Sequence, residues 1–104
     1  MISIVIPVYN EEENVVILHN KILDVMRIFG GSYEIIFVDD GSTDNTLAKL
    51  KALRNIKIIV LSMDFGQTSA LDAGIHDAKG DIIITMDGDL QNDPADIPKL
   101  VSKI

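Results

Sequence analysis

Four short apolar runs recur along the chain, and each is followed by a polar or glycine-containing break and then a helical pattern. The runs are Ile2 to Val8, Ile35 to Val38, Ile56 to Leu61 and Ile82 to Met86. They are nearly continuous rather than alternating, which is typical of strands buried on both faces of a sheet. Strand and helix repeated in this order predict an α/β fold, in which helices flank a parallel sheet.

The segments between the apolar runs predict three complete helices. Asn10 is expected to cap the first helix, which ends at Gly30 and Gly31. The second helix is predicted from about Asp44 to Leu53, and the third from Gln67 to Ala78.

A fourth helix is predicted to begin where Asp93 precedes Pro94, since aspartate is a favoured cap and proline suits the first turn. Its apolar pattern continues to Ile104 without a stop signal. We therefore expect residues 1–104 to be the amino-terminal part of a longer catalytic domain. The length suits one domain or part of one.

Polar residues stand directly after three of the predicted strands. In open parallel sheets, ligands bind in the crevice beyond the carboxyl ends of the strands, so these positions are candidates for one shared site. They are Tyr9 and Glu11, Asp39 and Asp40, and Asp87 and Asp89.

Asp87 and Asp89 are the most informative of these residues. They lie in the segment TMDGDLQNDPADIP, and in an extended chain residues two apart point to the same side, so both carboxylates can approach one cation. Mg²⁺ prefers oxygen ligands and usually keeps substrate phosphates among them. The pair therefore indicates a divalent metal and a diphosphate-bearing substrate, although a surface turn alone also explains two such aspartates.

Composition narrows the range of partners. With 9 basic and 16 acidic residues the net charge is −7, which disfavours nucleic-acid binding because that needs a positive surface. A nucleotide diphosphate would meet like charge at the proposed crevice, so its binding is expected to depend on Mg²⁺ or Mn²⁺. Cysteine is absent and no apolar stretch approaches a membrane span of about 20 residues, which is compatible with a cytoplasmic location.

Four motifs together resemble the family 2 glycosyltransferases. They are PVYNEEEN, VDDGSTDNT, FGQTSALDAGI and GDIIITMDGDLQNDP, which occur in that order across nearly the whole chain. The similarity is greatest to members that move a sugar from a nucleotide onto a polyprenyl (undecaprenyl or dolichyl) phosphate. The resemblance implies the nucleotide-binding, Rossmann-like half of a GT-A fold and an inverting, metal-dependent reaction with a UDP- or GDP-sugar donor.

The resemblance also implies roles for individual residues. Asp87 and Asp89 would bind the metal at the catalytic centre, with Gly88 between them allowing close backbone approach. The remaining residues that the resemblance assigns to the donor are Pro7, Tyr9 and Glu11 around the base and ribose, Asp40 facing the base with Asp39 beside it, and Gln91 near the sugar or diphosphate. The complete protein would act at the cytoplasmic face of a membrane.

Other interpretations remain open at this point. Glu11 could stabilise only the start of the first helix, and Asp39 to Asp44 could form only a turn and a cap. His19 and His76 fall in predicted helices and are expected at the surface rather than in catalysis.

Two other classes of protein also gather acids at parallel strand ends. A receiver-like signalling domain is one, but it needs a lysine at a later strand end, which the segment Ile82 to Leu90 lacks. A noncatalytic nucleotide-binding or assembly module is the other alternative. An open sheet edge or face in a partial chain would favour self-association.

Overall fold

The computed structural model describes residues 1–61, 67–89 and 93–98, and for Gln67 and Thr68 it describes the backbone alone. The strands are β1 (Ile2–Val8), β2 (Tyr33–Asp39), β3 (Lys57–Val60) and β4 (Ile82–Thr85). The helices are α1 (Val15–Phe29), α2 (Thr46–Lys51) and α3 (Gln67–Asp77), followed by a short 3-10 helix (Pro94–Asp96).

The four strands form one parallel sheet in the order β3-β2-β1-β4, which confirms the predicted α/β architecture. β1 lies inside the sheet and all seven of its residues are buried. Its register runs from Ile2 beside Tyr33 to Val8 beside Asp39, so β1 and β2 end level with each other. Within the described chain, β3 and β4 are the edge strands, and self-association through them stays a prediction.

The core has two layers because side chains alternate across β1. Ile4 and Ile6 point to the side of α1, where they belong to a buried cluster with Leu18, Ile22, Met26 and Phe37. Val5 points to the other side and packs with Ile36, Val38 and Ala70 of α3. On that side α3 comes so close that a Cβ on Gly74 would overlap Val5 Cγ1.

The helix boundaries correct several of the sequence predictions. α1 begins at Val15 rather than behind Asn10, and its N-cap residue is Asn14, whose side chain makes no capping hydrogen bond. α1 ends at Phe29 and is capped by Gly30, as predicted; Gly30 has φ +81° and donates its N–H to Met26 O. α2 is shorter than predicted at both ends, since it begins only at Thr46 and ends already at Lys51.

The start of the fourth helix is confirmed in part. The Asp93 carboxylate accepts the N–H of Ala95 at 2.9 Å, and Pro94 occupies the first turn. This first turn is a 3-10 helix rather than an α-helix. Residues 99–104, to which the predicted helix extended, lie outside the described part of the chain.

His19 is buried, which contradicts the expectation of a surface position. Its Nε2 atom has no hydrogen-bond partner among the described residues. Burial lowers the pKa of His19 below its ordinary value, against the smaller effect of a hydrogen bond with the Arg54 backbone. The His19 ring therefore lies on the inner side of α1 near the backbone of Arg54, while His76 is exposed as expected.

A polar network joins three strands and the end of α3 at the amino edge of the sheet. Glu34 Oε2 accepts hydrogen bonds from Ser3 Oγ at 2.5 Å and from the Lys79 N–H at 2.7 Å, while Lys57 Nζ lies 3.5 Å from Glu34 Oε1. Ser3 Oγ in turn accepts the N–H of Gly80 at 2.8 Å. Partial burial opposes ionisation of Glu34, but these hydrogen bonds and the Lys57 charge outweigh it and lower its pKa.

The lowered pKa of Glu34 predicts a specific loss of stability in acid. A carboxylate that is more acidic when folded stabilises the fold above its unfolded pKa, and this contribution is lost as pH falls through the lower folded value. We expect Glu34→Gln to lower the free energy of unfolding at neutral pH, and the gap from the wild type to narrow below about pH 4. Urea unfolding across this range measures the gap. Glu13→Gln, at an exposed position, controls for the loss of one negative charge, and a gap independent of pH would contradict the prediction.

Candidate functional site at the carboxyl edge of the sheet

Those residues of the predicted site that the structure describes lie at one edge of the sheet. The Asp40 N–H donates to Val8 O at 2.9 Å, and the Leu61 N–H donates to Asp39 O at the same distance. On the other side of β1, the Met86 N–H donates to Val5 O at 3.0 Å. The chain segments that carry the candidate acids therefore leave adjacent strands side by side.

Pro7 marks where β1 and β4 separate. Backbone groups of alternate residues in a parallel strand face opposite neighbours. Val8 O faces β2 and Val5 O faces β4, so the nitrogen of Pro7 is on the β4 side, where it has no hydrogen to donate. The paired register with β4 accordingly ends at Val5 and Thr85. The chain after Thr85 is then released from the ladder and turns across the end of β1.

Gly88 allows this turn to lie against β1. A Cβ at this position would lie 2.7 Å from Val8 Cγ1, 3.4 Å from Pro7 O and 3.5 Å from Glu11 Cγ. A side chain there would clash, since real Cβ atoms do not approach other carbon atoms so closely. The close contact brings the acidic segment against the end of β1 and against Glu11.

Asp87 and Asp89 flank Gly88, but not in the extended conformation that the sequence argument assumed. Residues 88 and 89 form a turn, so the alternation of an extended strand does not apply to them. Asp87 is half-buried and Asp89 is exposed. Both acids remain at the carboxyl edge because Gly88 is held against Val8.

The two acids at the end of β2 are both buried, at 1% exposure for Asp39, its last residue, and 4% for Asp40. The Asp39 carboxylate accepts hydrogen bonds from the N–H and the hydroxyl of Ser42. Between them Gly41 adopts a left-handed φ of +77°. Asp39 therefore stabilises its own turn, as expected from the alternative in which Asp39 to Asp44 form a turn and a cap.

The amino end of α1 carries the other predicted residues. Tyr9 is the first residue after β1 and is 42% exposed, so much of its ring is available to a ligand. Glu11 is half-buried, and its carbonyl accepts the N–H groups of Asn14 and Val15 at 3.0 and 3.1 Å. Its carboxylate accepts Asn14 Nδ2 at 2.8 Å. Glu11 thus supports the start of α1, which is compatible with a second role toward a ligand.

The loop after β1 and the loop after β2 hold each other through hydrogen bonds that sequence reasoning missed. We call residues 10–12 and 42–46 the interloop clasp. In the first direction, the N–H of Asn10 donates to Ser42 Oγ at 2.9 Å and that of Glu11 donates to Thr46 Oγ1 at 2.8 Å. In the other direction, Asn10 Oδ1 accepts the N–H of Thr43 at 2.8 Å.

Asp44 completes the interloop clasp. Its carboxylate accepts the N–H of Glu12 at 3.4 Å and the N–H and hydroxyl of Thr46 at 2.9 and 2.5 Å. Desolvation opposes ionisation of Asp44, but these hydrogen bonds prevail and lower its pKa. The sequence does contain a signal for such bonds, since both loops are rich in Asn, Ser, Thr and Asp, whose side chains bond to nearby backbone groups. The sequence did not show that they bond across two loops.

Gln91, which the resemblance assigns to the sugar or diphosphate, lies outside the described residues. Its predicted contact stays a prediction.

The carboxylate and imidazole side chains of the described residues can be compared with the ligands that a divalent metal needs. Within residues 1–61, 67–89 and 93–98, no three His, Asp or Glu side chains converge in a way that would enclose a metal ion. Two carboxylates at this edge of the sheet nevertheless suit Mg²⁺, which is usually held by one or two carboxylates together with substrate phosphates and water. Asp87 and Asp89 therefore fit a metal that a phosphate ligand shares. The described helices also include none with the length and apolar character needed to cross a bilayer.

Two curated proteins are similar to this chain over nearly all of its length. The chain is 44% identical over 108 residues to the dodecaprenyl-phosphate galacturonate synthase of Rhizobium johnstonii, a match that covers 99% of this chain and 32% of that protein. It is 47% identical over 106 residues to the undecaprenyl-phosphate 4-deoxy-4-formamido-L-arabinose transferase of Yersinia enterocolitica, covering 97% of this chain and 32% of the relative. The chain thus spans about a third of the length of these curated relatives.

A solved structure shows the same fold. The glucosyl-3-phosphoglycerate synthase of Mycobacterium tuberculosis, crystallised with Mn²⁺, UDP and phosphoglyceric acid, superimposes with a TM-score of 0.80 at 27% identity. The match covers 98% of this chain and 38% of that one. The fold is the amino-terminal half of a GT-A fold, as the sequence predicted. The model of the family described as glycosyl transferase family 2 matches residues 3–104, and the chain belongs to that family.

Proposed function

We propose that this chain is the donor-binding part of an inverting glycosyltransferase that moves a sugar from a UDP- or GDP-sugar to a polyprenyl phosphate. The observation that carries the proposal is the seating of Gly88 against Val8 and Glu11, which brings the acidic pair to the end of β1 beside β2. Relatives named as polyprenyl-phosphate sugar transferases support the choice of acceptor.

The base and ribose of the donor would occupy the space beyond β1 and β2. Tyr9 offers an exposed aromatic face, and a carboxylate at Asp40 can accept the imide hydrogen of uracil or guanine. Pro7 and Glu11 would line the same pocket, and Asp39 would hold its shape through Ser42. Because Asp40 is buried, its hydrogen bond to a base would be shielded from water and correspondingly selective.

Asp87 and Asp89 would hold Mg²⁺ or Mn²⁺ between the protein and the diphosphate, and Gln91 would lie near the sugar or diphosphate. The metal would stabilise negative charge on the departing nucleoside diphosphate. This requirement agrees with the charge of the chain, because a net charge of −7 would otherwise repel the donor. Mn²⁺ and UDP in the mycobacterial synthase support this assignment.

In the proposed reaction an oxygen of the lipid phosphate attacks C1 of the sugar while the bond from C1 to the diphosphate oxygen breaks. Attack from the opposite face inverts the anomeric centre. The lipid phosphate is already ionised at neutral pH, so the reaction needs no strong general base. His19 is buried beside the backbone of Arg54, and the proposed reaction assigns it no role. Since the acceptor is a membrane lipid, the complete protein would act at a membrane surface, and we propose its cytoplasmic face.

A transfer assay tests the proposed function. The complete protein that carries this chain is incubated with UDP- and GDP-sugars, undecaprenyl phosphate and Mn²⁺, and the glycolipid is extracted and measured. We expect glycolipid with one donor base. Tight nucleotide binding without glycolipid from any donor would instead support a noncatalytic nucleotide-binding module.

The acidic pair is tested separately from transfer. We expect Asp89→Asn to weaken nucleoside diphosphate binding in Mn²⁺ by about tenfold or more, or roughly 1.4 kcal/mol, because one charged metal ligand is lost. Without metal, the wild type and the variant should bind equally weakly. Calorimetry with UDP and GDP measures both. Asp81→Asn removes the same charge from an exposed position at the other end of β4 and is the control. Wild-type affinity that does not change with Mg²⁺ or Mn²⁺ would contradict the prediction.

The close contact between Gly88 and Val8 can be tested by substitution. Gly88→Ala would place a Cβ against Val8 Cγ1, and relief of such overpacking costs about 1–3 kcal/mol. Displacement of the turn would carry Asp87 and Asp89 with it, so we expect weaker metal-dependent nucleotide binding.

Val8→Ala combined with Gly88→Ala serves as the matched control, because removing Val8 Cγ1 makes room for the new methyl group. The double variant should regain part of the affinity lost in Gly88→Ala. If Gly88→Ala binds nucleotide as the wild type does, the contact between Gly88 and Val8 does not position the acids.

A further inference from the structure

Asn10, in the loop that follows β1, has an unusual backbone conformation. Its φ is +52°, and among the described residues other than glycine only Asn55 shares a positive φ. The left-handed region disfavours residues with a side chain, although asparagine tolerates it better than most. Asn10 stands between Tyr9 and Glu11, so its conformation decides how both are presented.

The Asn10 side chain faces the other loop. Its Oδ1 accepts the N–H of Thr43 at 2.8 Å and the N–H of Asp44 at 3.3 Å. The hydroxyl of Thr43 lies 3.4 Å from the same oxygen. A single carbonyl oxygen thus satisfies two consecutive backbone donors of the loop that follows Asp40.

The Asn10 backbone makes a second connection to the same loop. Its N–H donates to Ser42 Oγ at 2.9 Å, and the Ser42 hydroxyl donates to the Asp39 carboxylate. Asn10 is therefore linked to the acidic turn through both its main chain and its side chain. Within residues 10–12, only Asn10 is shown to bond to the second loop in both ways, and Thr43 and Asp44 do so from the opposite side.

We propose that Asn10 is a positioning residue for the donor pocket, which fixes Tyr9 on one side relative to Asp40 on the other. The inference rests on the proposed function, since it assigns Asn10 a task in nucleotide binding. Asn10 need not touch the nucleotide. It acts by keeping the two walls of the pocket at a constant separation, so that binding does not have to order them.

The side chain matters as well as the backbone conformation. Glycine would accept φ +52° more easily than asparagine, but it lacks the oxygen that Thr43 and Asp44 need. Alanine lacks the oxygen and also strains the left-handed conformation. The two substitutions therefore separate loss of the hydrogen bonds from backbone strain.

Asn55 provides a matched control. It has a φ of +60°, is exposed as Asn10 is, and precedes β3 at the opposite edge of the sheet. Asn55→Ala introduces the same kind of backbone strain far from the site.

The experiment measures UDP and GDP affinity in Mn²⁺ by calorimetry and thermal unfolding for the complete protein and its variants. We expect Asn10→Ala and Asn55→Ala to lower the melting temperature similarly, while only Asn10→Ala weakens nucleotide binding, by about tenfold. We expect Asn10→Gly to regain melting temperature relative to Asn10→Ala and yet bind nucleotide as weakly. A purely structural role would make affinity follow stability across the three variants.

Hydrogen exchange gives a readout that does not depend on nucleotide. The amides of Thr43 and Asp44 should lose protection in Asn10→Ala and Asn10→Gly but keep it in Asn55→Ala. Asn10→Asp retains an acceptor oxygen and tolerates the left-handed region, so it should restore that protection.

The results separate this inference from the proposed function. If the wild type binds neither nucleotide, the proposed function fails and the role of Asn10 fails with it. If the wild type binds nucleotide and Asn10→Gly binds it equally well, the proposed function stands and the positioning role is overturned. Unchanged protection of Thr43 and Asp44 in Asn10→Gly would also overturn it.

Discussion

The structure of the candidate site depends on two neighbouring loops that satisfy each other's backbone hydrogen bonds. Loops after parallel strands leave N–H groups without a ladder partner, and burying such groups unpaired is costly. In the interloop clasp, the N–H groups of residues 10–12 donate to side chains of residues 42–46, and Asn10 returns an acceptor to the second loop. Lys49 Nζ adds a bond to Glu12 O at 2.8 Å. The two loops are therefore joined to each other by hydrogen bonds in both directions.

On the other side of β1, the position of the turn at Gly88 depends on packing rather than on hydrogen bonds. Pro7 cannot extend the ladder toward β4, so the chain after Thr85 leaves the sheet. Gly88 then settles against Val8 and Glu11 because it has no side chain to obstruct the approach. Hydrogen bonds on one side and close packing on the other thus bring buried and exposed carboxylates to the same edge of the sheet. An acidic edge of this kind suits a phosphate ligand only when a cation accompanies it.

Much of the fold was predictable because the apolar runs report burial directly. Ile2 to Val8 appears as a strand with the same bounds, and the glycines at 30 and 31 end α1 as expected. The errors have a common origin in side chains whose partners are distant in sequence. Asn10 looked like a local cap, yet its partners lie more than 30 residues away. His19 is a polar residue and was expected at the surface, but it lies on the inner side of α1 beside the backbone of Arg54.

The sequence by itself determined the element types, their parallel arrangement and the grouping of acids after successive strands, because each of these follows from local periodicity and from the direction in which parallel strands run. Tertiary structure alone decided the strand order β3-β2-β1-β4, the level ending of β1 and β2, and the turn at Gly88. It also decided which backbone donors Asn10, Ser42 and Thr46 satisfy. Those features depend on contacts between residues far apart in the chain, and a local pattern carries no information about which distant partner a polar side chain will meet.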